Sequence, residues 1–295
     1  MQAGLTAVQA DFTSPRMTEQ GREEASGSAC REGRDHARRS RRVRALAAVL
    51  ALAFGCGGPD ADGSAERRDT LEAEVRVSMA ASLTDAFREL AAAFEAVHQG
   101  THVVLNAGGS SALRAQILEG APVDVFVSAN TSNMDQVVAA GAVAGEPVVF
   151  AHNRLRIAVP AGNPGRVTGL HDFARGDLLI GVCAAQVPCG ELAHEALSRA
   201  GVTPAIDTNE PDVRALLTKV ELGELDAALT YATDVMSAGE RVEGIDVPDA
   251  FNVEATYPIA VLADAPHPRA AAAFVSFVTS EAGRAILTRH GFAEP

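Results

Sequence analysis

Two serines carry the most chemical promise in this chain. Each stands where a strand-like run hands over to a helical spacing. In Val75–Phe87, VRVSMAASLTDAF, Val75 and Val77 alternate as in a strand. Leu83, Phe87, Leu90, Ala91 and Phe94 then recur at the helical period. Ser82 lies at that junction, and Ser110 lies at a second one, HVVLN-AGG-SSALRAQIL. A helix start exposes N–H groups that have no intrahelical acceptor, together with the positive end of the helix dipole. A serine there adds a hydroxyl to an anion site. The plainer role for either serine is an N-cap, and Ser82-x-x-Asp85 has the spacing of a capping box with Asp for the usual Glu or Gln. Ser110 also sits in Gly108-Gly109-Ser110-Ser111-Ala112, spaced like a nucleophile elbow with Ala for the last Gly. A serine hydrolase would take its base from His267 or His290 and its acid from Asp246 or Asp264, none of which the sequence fixes against Ser110.

The remaining composition narrows the partners. The 295 residues carry a formal charge of −13, and nine of the 25 basic residues fall in residues 1–56. The acidic body that follows argues against nucleic acid as a partner, but not against a small anion held by backbone dipoles. Residues 1–56 read as a targeting segment. Arg38, Arg39, Arg41, Arg42 and Arg44 precede ALAAVLALAFG, an apolar run too short to span a bilayer, which ends at Cys56. This stretch resembles a bacterial lipoprotein signal, with Ala53 where Leu is usual, and implies a lipid anchor on Cys56 outside the cytoplasm, plain cleavage or a retained anchor being the alternatives. Residues 57–70 read as a flexible tether. With Cys30 in the leader, Cys183 and Cys189 remain. An exported chain favours a disulfide between them, two buried thiols being the alternative. A metal site is not expected, since only His194 lies near the two cysteines.

The elements that must position the serines alternate. VRVSM precedes a helix over Leu83–Val97, HVVLN one over Ser111–Glu119, and VDVFVSA one over Met134–Ala140. VVFAHN and RLRIAVPA read as two strands around Asn153. Then come a short helix at Leu170–Ala174, the strand LLIGVCA, helices over Glu191–Ala200 and Val213–Leu222, and the strand LDAALTYA. After Gly- and Pro-broken pieces, TYPIAVL and one long helix from Pro268 to about Arg289 close the chain. Interleaved strands and helices indicate an α/β fold with a largely parallel sheet. Two lobes are expected, residues 71–151 plus 260–295 and residues 152–259, with a ligand cleft between them at the carboxyl ends of the strands.

The segments AASLTDAF, GGSSALRAQILEGAPVDVFVSA, VPCG, DVRALLTKVELGELDAALTYATD and TRHGF occur in that order. Together they resemble the extracytoplasmic molybdate-binding proteins of bacterial ABC importers. That resemblance implies a two-lobe type II periplasmic-binding-protein fold and a tetrahedral oxyanion, molybdate or tungstate, held by neutral donors. Ser82 and Ser110 would each give a hydroxyl and an N–H, Cys189 and Val213 their N–H groups, and Tyr231 its phenol. Cys189 replaces a small residue of the family pattern, at a position where the donor is backbone. It further implies a monomer that is not an enzyme, carries no cofactor, and delivers its cargo to a membrane permease. The ATPase would be a separate chain, since no P-loop is present. A site made only of donors suits an oxyanion without a proton. Hydrogenphosphate brings an O–H that would lack an acceptor. Sulfate is not excluded on this ground, so a binding protein of the same fold for sulfate or another oxyanion is the alternative; the hydrolase using Ser110 ranks below it.

Overall fold

The computed structural model describes residues 72–295. The targeting segment, the tether, Cys30 and the lipidation expected at Cys56 all lie outside the described residues.

The chain begins with β1 (Ala73–Ala80), α1 (Thr84–Val97), β2 (Thr101–Gly108), α2 (Ser110–Leu118), β3 (Val125–Val127) and α3 (Thr131–Ala139). Strand β1 pairs in parallel with β2 on one side and β3 on the other. Its inward residues Val75, Val77 and Met79 are buried, and helix α1 lays Phe87, Leu90 and Phe94 against the same core. Phe274 meets Phe87 and Phe94 edge-on, with ring centroids 6.2 and 5.2 Å apart. Such pairs each add about 0.5–1.5 kcal/mol beyond the area they bury.

The chain then enters β4 (Val148–Pro160), the longest strand. Val148–Arg154 pairs antiparallel with β9 (Glu254–Val261), while Leu155–Ala158 pairs with β7 (Ala227–Tyr231) and Arg156–Pro160 with β8 (Val242–Asp246). Strands β5 (Ile180–Cys183) and β6 (Thr208–Glu210) complete the sheet, β5 running parallel to both β6 and β7. The order is β2-β1-β3-β9-β4-β7-β5-β6, with β8 on β4. Two parallel segments are thus joined through the antiparallel strands β9 and β4. The helices that follow are α4 (Pro188–Arg199), α5 (Val213–Glu221), α6 (Ala232–Ala238), α7 (Pro268–Thr279) and α8 (Glu281–Arg289).

Four expectations need correction. The two strands around Asn153 are one, because the Asn153 side chain is buried and hydrogen-bonded, so a polar residue does not interrupt the strand. The single closing helix is two helices bent by 61°, broken at Ser280, whose hydroxyl accepts the Gly283 N–H and starts α8 afresh. The capping box at Ser82–Asp85 is absent. Residues Ala81–Leu83 form a single turn of 3-10 helix, α1 has no side-chain cap, and Asp85 turns instead to Arg214. Strand β3 keeps only three residues of VDVFVSA: on one side the Asp124 carboxylate accepts the Arg76 and His267 N–H groups, and on the other the chain turns, with Ser128 Oγ accepting the Asn130 N–H. Short β6, α6 and β8 were not evident in the sequence, being too brief for a period to register.

Candidate functional site

Strands β1, β2, β5 and β7 all end toward one small cavity, and the next helix starts from its wall. Ser82, Ser110, Cys189, Val213 and Tyr231 all line it. Its free space, mouth included, is about 210 Å3.

Ser82 is the middle residue of the 3-10 turn, and its Oγ lies 2.9 Å from the Tyr257 hydroxyl. Ser110 is the first residue of α2, and its Oγ accepts the Ala129 N–H at 3.1 Å. Neither serine side chain caps its helix. Cys189 is the second residue of α4, after Pro188, where the helix leaves its amide without an intrahelical acceptor. Cys189 is joined by a disulfide to Cys183 at the end of β5, with a Cα–Cα distance of 5.8 Å. Gly190 permits that close return: a Cβ there would lie 2.1 Å from the Ala184 carbonyl oxygen. Val213 opens α5. The Asp212 carboxylate accepts the N–H groups of Arg214 at 2.8 Å and Ala215 at 2.9 Å, leaving the Val213 N–H free of that cap.

Tyr231 ends β7 and is 1% exposed, and its hydroxyl has no hydrogen-bond partner among the described residues. Burial, with Tyr257 and Asp234 nearby, holds its proton loss well above the usual tyrosine range. The phenol is therefore a neutral donor at every working pH. Its backbone is fixed from behind, where Asp234 accepts the Tyr231 N–H at 3.2 Å. Asp234 is itself fully buried. Burial pushes its pKa up to about 7, against the opposing pull of the Arg214 guanidinium.

Among the described residues, no Lys, Arg or His lines the cavity, and its one carboxylate, Asp212, is engaged by two amides. Positive potential comes from the starts of α2, α4 and α5, which converge from different parts of the sheet. The walls touch across the cavity. Arg214 of α5 pairs with Asp85 of α1 at 2.5 Å, and Asn130 donates to Glu191 of α4 at 2.8 Å. At Gly109, a Cβ would lie 2.5 Å from the Pro211 carbonyl oxygen, so a side chain there would hold the walls apart.

The base and acid candidates of the hydrolase reading do not line the cavity with Ser110. His267 faces Asp124, His290 pairs with Glu89 at 2.8 Å, and Asp246 pairs with Arg156. Two site residues escaped the sequence reading: Tyr257, behind Ser82, and Asn153, behind Tyr257. A signal was present, since Tyr257 is one of only two tyrosines and falls in an apolar strand, where a phenol needs a partner.

Comparison with known proteins agrees with this architecture. Residues 75–293 match the family of bacterial extracellular solute-binding proteins. A molybdate-binding protein ModA from Mycobacterium tuberculosis is 37% identical over 251 residues, which is 85% of this chain and 96% of the relative. The periplasmic molybdate-binding protein of Azotobacter vinelandii superposes with a TM-score of 0.68 at 20% identity, covering 75% of this chain and 99% of that one. The sulfate-binding protein SubI from Mycobacterium tuberculosis superposes with a TM-score of 0.67 at 18% identity, covering 75% and 87%. At those identities the two structures speak to the fold alone, which is the mixed α/β fold of periplasmic binding proteins. With the match running from β1 to beyond α8, this chain belongs to the bacterial extracellular solute-binding proteins.

Proposed function

We propose that this chain captures molybdate or tungstate outside the cytoplasm and delivers it to the membrane permease of an ABC importer whose ATPase is a separate chain. The observation that carries this reading is the Tyr231 hydroxyl, buried and without a partner among the described residues, at a cavity that also presents the Ser82 and Ser110 hydroxyls and helix-start amides, with Asp212 its one carboxylate. A buried donor left without a partner costs about 1–3 kcal/mol, and an oxyanion supplies the missing acceptor. Ser82 and Ser110 give hydroxyls and N–H groups, Cys189 and Val213 give N–H groups, and Tyr231 gives its phenol. The relatives named for molybdate support the choice of cargo.

In this reading the chain binds and releases without chemistry, works as a monomer, and needs no cofactor. Lobe 1 comprises residues 71–151 plus 260–295 and lobe 2 residues 152–259, with Cys56 holding the lipid. Its donors come from both lobes, so the anion is gripped only when the cleft is shut. A second reading, sulfate as cargo, draws on the same small cavity, whose hydroxyls and helix-start amides suit any unprotonated tetrahedral dianion. Calorimetric titration with molybdate, tungstate, sulfate and phosphate separates the two. One molybdate or tungstate per chain, with sulfate far weaker and phosphate negligible, is expected; equal binding of sulfate would overturn the cargo. Covalent labelling of Ser110 by a fluorophosphonate would instead favour a hydrolase.

A further inference from the structure

A serine hydroxyl can donate or accept, so which it offers to a ligand is set by its other neighbours. Behind Ser82 those neighbours form a directed series. Asn153 accepts the Arg154 backbone N–H on its Oδ1 at 2.9 Å. A backbone N–H can only donate, so it fixes which end of the Asn153 amide faces it. The amide nitrogen must then face the other way, toward Thr233 Oγ1 at 2.8 Å and the Tyr257 hydroxyl at 3.5 Å. An amide NH2 cannot accept. The Tyr257 proton therefore goes to Ser82 Oγ, 2.9 Å away. The Ser82 proton is left with the cavity.

We propose that Tyr257 and Asn153 are positioning residues that fix Ser82 as a donor toward the cavity and so set specificity for an unprotonated oxyanion. The inference rests on the oxyanion reading given above and adds residues that do not touch the ligand. Ser110 is fixed in the same sense by a shorter route, because the Ala129 N–H already donates to its Oγ. With both hydroxyls so directed, each serine points its proton at the ligand, and a hydrogenphosphate O–H aimed along the same line meets a donor instead of an acceptor. Without the series, Ser82 could rotate and accept that O–H.

The test compares Tyr257→Phe and Asn153→Ala with Thr233→Val as a control, since Thr233 contacts Asn153 but lies off the series. Molybdate, sulfate and phosphate are titrated at pH 8, where phosphate is the hydrogenphosphate dianion, and thermal melts confirm that each variant is folded. Tyr257→Phe should weaken molybdate about tenfold while leaving hydrogenphosphate unchanged or tighter. The molybdate-to-phosphate ratio should thus fall by about tenfold in Tyr257→Phe, fall in Asn153→Ala, and hold in Thr233→Val. Equal losses for both anions, or an unchanged ratio, would overturn the proposal, because a merely structural role moves both affinities together. If the wild-type chain takes sulfate and not molybdate, the cargo reading fails while the series is judged on the sulfate-to-phosphate ratio. A wild-type preference for hydrogenphosphate would overturn the series itself.

Discussion

Replacing Tyr231 by Phe separates binding from stability more cleanly than any other substitution at this site. The hydroxyl is buried and has no partner among the described residues, so the fold without ligand gains nothing from it. Removing an unsatisfied buried hydroxyl is neutral or slightly stabilising, whereas removing a hydrogen bond to a charged ligand costs about 1.5–3 kcal/mol. The ligand-free melting temperature of Tyr231→Phe should therefore equal or exceed that of wild type. Its molybdate affinity should fall by a factor of about 10–150. The same loss should show in the melt with ligand present. At a concentration of about 100 times the wild-type Kd, ligand stabilises by about 2.7 kcal/mol, and a tenfold weaker variant forfeits about half of that. Calorimetry gives the affinity and scanning calorimetry the two melts. A variant that melts lower without ligand yet binds molybdate like wild type would refute the reasoning, because the phenol would then be serving the protein and not the anion.

Ser82→Ala and Ser110→Ala should each weaken molybdate by about 1.5–3 kcal/mol; titration of both variants at wild-type affinity would remove these residues from the site. Neither hydroxyl caps a helix. Any stability loss should come instead from the groups stranded behind them, the Tyr257 hydroxyl and the Ala129 N–H, and chemical denaturation would show it as about 1–3 kcal/mol. The Cys183–Cys189 disulfide closes a short ring and should contribute about 2 kcal/mol in the chain-entropy model. Intact-mass analysis after alkylation should show both thiols blocked only once reductant is added. Asp234 should make stability depend on pH. Its folded pKa of about 7 lies above its ordinary 3.8, so the folded chain binds the extra proton between those values. Its contribution to stability therefore falls as pH rises from about 4 to about 7 and stays low above that. Asp234→Asn should flatten that decline in denaturation curves taken across the range; an unchanged slope would show that Asp234 stays ionised when folded.

Much of the site was legible because it is built from strand-to-helix junctions, and those leave a local mark. The change from alternating Val75 and Val77 to the spacing Leu83, Phe87, Leu90 placed Ser82, and the same change placed Ser110. Pro211-Asp212 stands before Val213 as a helix-start pair, and the Asp212 carboxylate does cap α5. Tyr231, Cys189 and Val213 came together only through resemblance, since nothing local in their segments says that β5, β7 and β1 end at one cavity. What stayed hidden was long-range and polar. Asp85 has the spacing of a cap, but Arg214, 129 residues away, offers it an ion pair across the cavity. Asn153 reads as a break between strands, yet its hydrogen bonds to Arg154 N–H, Thr233 and Tyr257 let it be buried inside one strand. Ser280 reads as one more position in a helical pattern, and its hydroxyl bond to Gly283 is what breaks the helix.

On the proposed function, a cavity whose hydroxyls and helix-start amides donate takes an unprotonated tetrahedral dianion, molybdate or tungstate above others. Competitive calorimetry puts this most directly: molybdate is titrated into the wild-type chain at pH 8, alone and then against excess sulfate and excess phosphate. A stoichiometry of one, an isotherm barely moved by phosphate, and sulfate competing only at large excess are expected. An isotherm displaced by hydrogenphosphate as strongly as by sulfate would contradict it, because the two serine hydroxyls, the phenol and the helix-start amides would then not be setting the preference for an anion without a proton.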